Sequence, residues 1–247
     1  MPSHEAKSRG PLWVARTIWR FCTSPTYRNY AILRWRRPPE LFQLSSVTRD
    51  NRYPHLFEFA RNELGDHAGL RLLSFGCSTG EEVFTLRRYF PQASLKGIDI
   101  NAASIARCRQ QLRSHPDAAI GFEVAGTAAR EAAQSCNAVF CMAVFRDGAL
   151  ADPKFDRCDP LITFARFSAA MDDLSRCLKP GGLLFIAHAN FRFEDTPAAG
   201  QFDLAHRSHF PRDIARATPL FDTSNRRTAE VEGEHAVFRK KLLVGAD

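Results

Sequence analysis

The sequence contains no apolar run of about 18 residues, and its hydrophobic opening stretch is broken by Arg16 and Arg20, so neither a membrane-spanning helix nor a signal peptide is expected. The expected location is cytoplasmic. It also lacks any C-x-x-C pair. Its seven cysteines (Cys22, Cys77, Cys108, Cys136, Cys141, Cys158 and Cys177) are odd in number and scattered, which predicts reduced, mostly buried thiols with no disulfide framework and no metal site. Glycine and proline are not enriched, at 14 each in 247 residues, and no internal repeat is visible, which excludes collagenous and low-complexity chains. What remains is an ordinary globular composition, 45% hydrophobic and 25% charged. A chain of this length fits one large domain with an appended arm.

Charge is unevenly spread. Residues 1–52 hold ten Lys/Arg against three Asp/Glu, a balance of +7, which equals the net charge of the whole chain. The rest is therefore neutral. The same arm carries the three tryptophans, Trp13, Trp19 and Trp35, with Phe21, Tyr27 and Tyr30. Arginines interleaved with aromatics suit an anionic surface, either membrane lipid or nucleic acid, since cations meet phosphates while rings stack on bases or sit in the lipid interface. The competing reading is an aromatic arm packed on its own domain, because large rings usually find burial. The arm is taken as residues 1–47 and the domain as 48–247.

From residue 71 short apolar runs alternate with helical periods, the signature of a doubly wound α/β sheet. Strands are predicted at Leu72 to Phe75, Leu95 to Ile100, Ile120 to Val124, Ala138 to Met142 and Leu183 to Ala187. Helices are predicted at Glu81 to Tyr89 and Ala102 to Leu112, and through Leu161, Phe164, Met171, Leu174 and Leu178 until Lys179-Pro180-Gly181-Gly182 ends the run. Tyr53 to Leu64 reads as a helix with Pro54 in its first turn. Pro219-Leu220-Phe221 and Ala236-Val237-Phe238 suggest a closing hairpin with an antiparallel strand, and His206-x-x-His209 falls in a predicted loop.

The first strand runs into Gly76-Cys77-Ser78-Thr79-Gly80-Glu81-Glu82. A small-residue turn between strand and helix lets backbone approach a nucleotide, and the helix start offers free amides. The pattern is not G-x-G-x-x-G. Two glutamates at the helix start oppose a pyrophosphate but favour a cationic ligand such as the ammonium and sulfonium of S-adenosylmethionine (SAM). Asp99, 23 residues after Gly76, stands where an acid reaches ribose hydroxyls, although it could instead cap the next helix, as Asn101 would. Together these features favour a site for a nucleoside bearing an amine. The loop also satisfies G-x-S-x-G, the nucleophile elbow of α/β-hydrolases, with Ser78 as nucleophile, but no upstream oxyanion loop precedes it and the motif follows the first strand.

On these residues the core resembles a class I SAM-dependent methyltransferase, and Leu73 to Leu86 is most similar to the chemotaxis receptor methyltransferases, whose loop reads G-C-S-T-G-E-E or nearly so. Thr48, Arg52 and Phe57 reproduce a spacing found just upstream of that family's core, and Leu178 to Gly182 matches a pattern common across class I methyltransferases. The resemblance covers roughly residues 46–190. It implies a Rossmann-like, doubly wound seven-stranded sheet, here with a basic, aromatic and helical N-terminal arm. It further implies that Gly76, Ser78 and Gly80 line the methionyl part of SAM, that Glu81 receives its ammonium and Asp99 its ribose, and that Ile100 lies against adenine. Thr48 and Arg52 would reach the cofactor from the other side, Arg52 through a bidentate grip on its carboxylate.

The chain departs from that pattern. After strand three, Gly126-Thr127-Ala128 offers only the Thr127 hydroxyl where relatives have an acid, strand four is entered by Asn137 rather than Asp, and Cys141 to Arg146 replaces the Arg-Asn pair and aromatics of the receptor enzymes. Cys141 is kept as a cofactor-side candidate. For catalysis the candidates are weak: His188, near Asn190 at the end of strand five, as a base, and Arg146, beside Asp147, after strand four. The expected function is methyl transfer from SAM to an unidentified acceptor; the alternative is an inactive SAM-binding or scaffold protein that uses the arm to bind an anionic partner.

Overall fold

The computed structural model describes residues 11–44, 48–209 and 218–242. Helices α1 (Pro11–Thr23) and α2 (Pro25–Arg36) form a hairpin, α2 being started by Pro25 and by the Ser24 hydroxyl, which accepts from the Tyr27 amide at 3.2 Å. Helix α3 (Pro54–Leu64) follows, with Pro54 in its first turn as predicted. Then come β1 (Arg71–Phe75), α4 (Glu81–Tyr89), β2 (Ser94–Asp99), α5 (Ala102–Ser114), β3 (Ile120–Val124) and β4 (Cys136–Met142). Helix α6 (Phe164–Cys177) leads into β5 (Leu178–Ala187), followed by β6 (Phe202–His209), β7 (Thr218–Phe221), β8 (Arg227–Glu232) and β9 (Glu234–Lys240).

Seven strands form one sheet in the order β3-β2-β1-β4-β5-β9-β6. The first five are parallel, and β9 runs antiparallel between β5 and β6. This is the Rossmann-like class I methyltransferase fold. Period-two alternation along each central strand feeds two cores. Leu73, Phe75, Val139, Cys141, Leu184 and Ile186 face Phe167, Met171 and Leu174 of α6. Leu72, Ala138, Phe140, Leu183 and Phe185 face Leu56 and Phe57 of α3, Val83 and Leu86 of α4, and Ile105 of α5. Phe140 stacks on Phe185 with ring centroids 4.4 Å apart.

Two sequence expectations are corrected at the far edge of the sheet. The segment at residues 219–221 does not pair with 236–238: β7 pairs with β8 in a separate two-stranded sheet, whereas β9 takes β6 as its antiparallel neighbour. His206 and His209 accordingly lie on strand β6 rather than in a loop. This strand escaped the reading because it is an edge strand whose exposed side chains break the apolar alternation. Strands four and five also begin earlier than expected, at Cys136 and Leu178, with a bulge between Cys136 and Ala138. Asn137 lies inside β4, where its Oδ1 accepts from the Arg71 amide (3.1 Å) and from Lys179 Nζ (3.0 Å), tying β1, β4 and β5 together.

Candidate active site

The strand order reverses direction at β1 and β4, and ligands of open α/β sheets bind at the carboxyl ends of strands at such a point. A cleft opens there, enclosing about 980 Å³ including its mouth. The turn after β1 forms its floor. Gly76 has φ +73°, and a Cβ on it would stand 2.5 Å from Val144 Cγ2, so both backbone and space require glycine. Ser78 is left-handed too, at φ +51°.

Asp99 holds this floor together. One carboxylate oxygen accepts from the Ser78 amide (2.8 Å) and the other from the Asn101 amide (2.7 Å), so the turns after β1 and β2 are latched through one side chain. The helix cap is Asn101, whose Oδ1 accepts from the amides of Ala103 and Ser104. Each Asp99 oxygen keeps a further lone pair for a hydroxyl in the cleft. Burial pushes the Asp99 carboxyl up against the opposing pull of its two backbone donors.

Among the residues named from sequence, the cleft is lined by Thr48, Arg52, Gly76, Ser78, Asp99 and Ile100. Four others lie outside its lining. Gly80 starts α4 at φ +96°, where a Cβ would crowd Phe84 and Cys108, so its glycine serves packing. Glu81 turns back to the Thr79 hydroxyl, at 2.8 and 2.7 Å from its two oxygens. Thr127 donates to Asp173 of α6 at 2.5 Å, and Gly126 faces the cleft in its place. Cys141 points into the α6-side core, where burial holds its thiol well above the ordinary value, while its neighbour Met142 lines the cleft.

Of the two glutamates that open α4, it is Glu82 that lines the cleft. It keeps some surface toward the cleft and is enclosed by protein elsewhere, accepts from the Ser74 hydroxyl at 2.7 Å, and stands in the field of Arg52. Desolvation outweighs those two stabilising partners and raises its pKa from 4.5 to about 7. Glu82 stands four residues before the buried Leu86 and shares its helix face, whereas Glu81 does not. Arg52 lies over the Tyr53 ring, 5.1 Å from its centroid.

The sequence reading missed the roof. Leu33 of α2 and residues 40–44 line the cleft, Leu41 and Phe42 are buried, and Gln43 Nε2 donates to the Ala143 carbonyl at 2.7 Å. Phe42 meets Phe145 edge-on at 4.9 Å. A Cβ on Gly126 would stand 2.7 Å from Glu40 Cβ and 2.9 Å from Ile100 Cδ1, so the roof closes directly over the β3 turn.

Neither weak catalytic candidate, His188 or Arg146, is among the lining residues. His188 sits at φ +53° in a buried cluster with His235 and Tyr53, its ring centroid 5.3 Å from His235 and 6.1 Å from Tyr53, and His55 Nε2 lies 3.1 Å from His235 Nδ1. Burial first, and then the Arg146 and Arg52 charges, lower His188 to about 3; burial and neighbouring histidines bring His235 to about 3 as well. Both rings are neutral at physiological pH. Asn190 is structural, its Oδ1 accepting from the Asp147 amide and its Nδ2 donating to the Pro219 carbonyl, both at 2.8 Å. All seven cysteines are unbridged, and among the described residues no group of three or more His, Cys, Asp or Glu could hold a metal ion.

Comparison with known families adds the decisive observation: the family described as "Methyltransferase domain" matches residues 66–218, more than half of the chain. The chain belongs to the methyltransferase domain family. The hydrolase reading of Ser78 is thereby set aside. Among curated proteins the chain is similar to a fatty-acid O-methyltransferase of Mycolicibacterium smegmatis, 28% identical over 160 residues, covering 64% of this chain and 51% of that one. It thus spans about half the length of the curated relative it matches. Among solved structures it resembles the one reported as "Conversion of a Disulfide Bond into a Thioacetal Group during Echinomycin Biosynthesis", with 16% identity, a TM-score of 0.51, and coverage of 88% of this chain and 94% of that one. It also resembles the [4+2]-cyclase SpnF, with 14% identity, a TM-score of 0.50, and coverage of 78% and 85%. These two likenesses concern the fold.

Proposed function

We propose that the cleft binds SAM and that the chain transfers its methyl group to an ionised oxygen on a small amphiphilic acceptor. The observation that carries the reading is the convergence on one cleft of a glycine floor, the Asp99 latch and the enclosed Glu82 carboxylate. These suit, in order, close backbone approach, two ribose hydroxyls and an ammonium group. Arg52 would grip the methionyl carboxylate from the opposite wall, and Thr48 beside it would support the same end, the arrangement that the receptor methyltransferase resemblance implies. Ile100 would lie against adenine beneath the Glu40–Leu44 roof.

Bound SAM supplies an activated methyl group on its sulfonium. The chain's own part is to hold the acceptor in line and exclude water, since a well-oriented attack at about 3 to 3.5 Å recovers much of the barrier. An ionised oxygen needs no base. The neutral His188 and His235, outside the cleft lining, agree with that economy. Apolar contact comes from Leu33, Leu41, Phe42, Leu44, Met142 and Val144. The fatty-acid enzyme among the relatives supports an amphiphilic acceptor, while a fold neighbour described as a cyclase is a reminder that chemistry follows the site rather than the fold.

The test is calorimetric titration of SAM into the full chain, followed by release of S-adenosylhomocysteine with fatty acids of graded chain length, using Gly76→Ala as the control that blocks the floor. Saturable SAM binding, lost in Gly76→Ala, with product formed from at least one fatty acid, is the expected result. Absence of SAM binding would overturn the cofactor site. Binding without product from any fatty acid would overturn the acceptor class, and binding without product even in a cell extract would favour the inactive SAM-binding alternative.

We also read the basic arm as the contact for an anionic partner, the protein being cytoplasmic and peripheral at the membrane.

A further inference from the structure

We propose that the α1/α2 hairpin docks the protein on an anionic lipid bilayer and holds the mouth of the cleft at the headgroup level; the proposal rests on the reading of the arm given above and narrows its partner to lipid.

Between Glu5 and Glu40 the sequence has no acidic residue, and residues 11–39 carry Arg16, Arg20, Arg28, Arg34, Arg36 and Arg37. A surface so one-sided in charge complements an anionic headgroup layer. The hairpin exposes large apolar side chains among these cations: Ile18 is 58% exposed, Trp19 65%, Phe21 40% and Trp35 81%. Rings of this kind normally find burial in the fold, and these have not. On α1 the arginines at 16 and 20 stack one turn apart, while Ile18 and Cys22 form a second line around the helix with Trp19 beside it. That is the build of a helix lying in an interface, with aromatic groups at the acyl boundary and guanidinium groups among the phosphates.

Length supports lying flat over crossing. Helices α1 and α2 have 13 and 12 residues, and among the described residues no helix is long and apolar enough to span a bilayer. A nucleic-acid partner accounts for the arginines and the rings but leaves the exposed aliphatic Ile18 without use, since single strands are held by ring stacking and backbone charge.

The hairpin is joined to the catalytic domain in a way that makes docking consequential. Helix α1 packs on α2, α2 touches α5, and Leu33 of α2 together with residues 40–44 lines the cleft. A bilayer beneath the hairpin would therefore lie against an element that also walls the cleft.

Flotation of the full chain with vesicles tests the proposal, comparing pure phosphatidylcholine with mixtures holding about one-third phosphatidylglycerol. Binding should appear on the anionic vesicles, fall steeply with added salt, and shift tryptophan emission to the blue. The double variant Trp19→Ser/Trp35→Ser and, separately, Arg16→Gln/Arg20→Gln should each weaken it by about tenfold or more. Both pairs lie outside the cleft lining, so SAM affinity should be unchanged and serves as the fold control. Failure to float, equal binding to neutral vesicles, or tighter binding to a single-stranded oligonucleotide than to anionic vesicles would each overturn the proposal. These readouts need no turnover, so their failure leaves the methyl-transfer reading standing, and a failure of SAM binding leaves them standing.

Discussion

The cofactor cleft and the α1/α2 hairpin make opposite use of polar and aromatic groups. In the cleft, a few charged side chains are enclosed and each is held by named partners: Asp99 by two amides, Glu82 by Ser74 and the field of Arg52. On the hairpin the charges are many, of one sign and, except Arg28, exposed, and Trp19, Phe21, Tyr30 and Trp35 beside them face outward. In the first region position is everything and one substitution should be decisive. In the second, the sum matters and single changes should be small.

Asp99→Ala tests the first half of that contrast most severely. The substitution removes the latch between two turns and two acceptors for hydroxyls, and hydrogen bonds to a charged group contribute about 1.5 to 3 kcal/mol each. SAM affinity measured by calorimetry should fall by about 100-fold or more. Unchanged affinity in a folded variant would remove Asp99 from the site.

The roof separates the arm into two parts with different physics. Phe42 is buried against Phe145, so Phe42→Ala should destabilise the protein by about 3 to 4 kcal/mol in denaturant unfolding, as for other buried Phe-to-Ala changes. A loss below about 1 kcal/mol would mean that residues 40–44 lie only loosely over the cleft.

Glu82 supplies a pH signature. Its carboxyl titrates near 7 in the fold against 4.5 ordinarily, so the folded state binds a proton that the unfolded chain has released between those values. Without ligand, its contribution therefore makes stability fall as pH rises from about 4.5 to 7. An ammonium group in the cleft prefers the carboxylate, so SAM binding should expel that proton and strengthen by up to about tenfold per pH unit below 7, levelling off above. Glu82→Gln should flatten the profile and weaken binding at pH 8. A flat profile in the wild type would return the ammonium to Glu81.

How much of this could be read in advance follows the same division. The central parallel strands β1, β4 and β5 were legible because both faces of each are largely buried, which leaves near-continuous apolar runs such as Leu72 to Phe75. The edge strand β6 was not, because Phe202 is the only buried residue of Phe202–His209. The place of the turn after β1 and of Asp99 along the cleft was readable from spacing, since they sit at fixed points of a strand, turn and helix unit. The choice between Glu81 and Glu82 was not, because adjacent residues on a helix differ by about 100° in direction and only packing decides which faces the cleft. Thr127 and Cys141 lie outside the cleft lining for a related reason: their hydroxyl and thiol find partners or burial on the α6 side. The roof was hidden because Leu41 and Phe42 carry no motif.

Arg52 tests whether the resemblance to receptor methyltransferases extends past the common fold. Arg52→Lys keeps the charge but loses the planar two-bond grip, so SAM affinity should drop several-fold, up to about tenfold, and further in Arg52→Ala. Adenosine lacks the methionyl carboxylate, and its weaker binding should survive both. Because the Arg52 charge also holds Glu82 down, Arg52→Ala should move the pH profile of SAM binding upward. Equal losses for SAM and adenosine would reduce Arg52 to a structural role.

The smallest effect belongs to the hairpin alone. Trp35 is 81% exposed, so Trp35→Ser removes little packing, and surface changes of this kind stay within about 0.5 kcal/mol. Unfolding midpoints of wild type and variant should coincide in dilute buffer. Set beside Phe42→Ala, seven residues further along the same arm, the pair asks where the arm stops being scaffold. If Trp35→Ser cost as much as Phe42→Ala, the indole would have to be buried against the protein's own surface, and the hairpin would be packing material rather than a free face. If only Phe42→Ala registers, the boundary between fold and exposed hairpin falls between the end of α2 and the roof, where Arg37 turns left-handed at φ +39° and Pro38 and Pro39 stiffen the crossing.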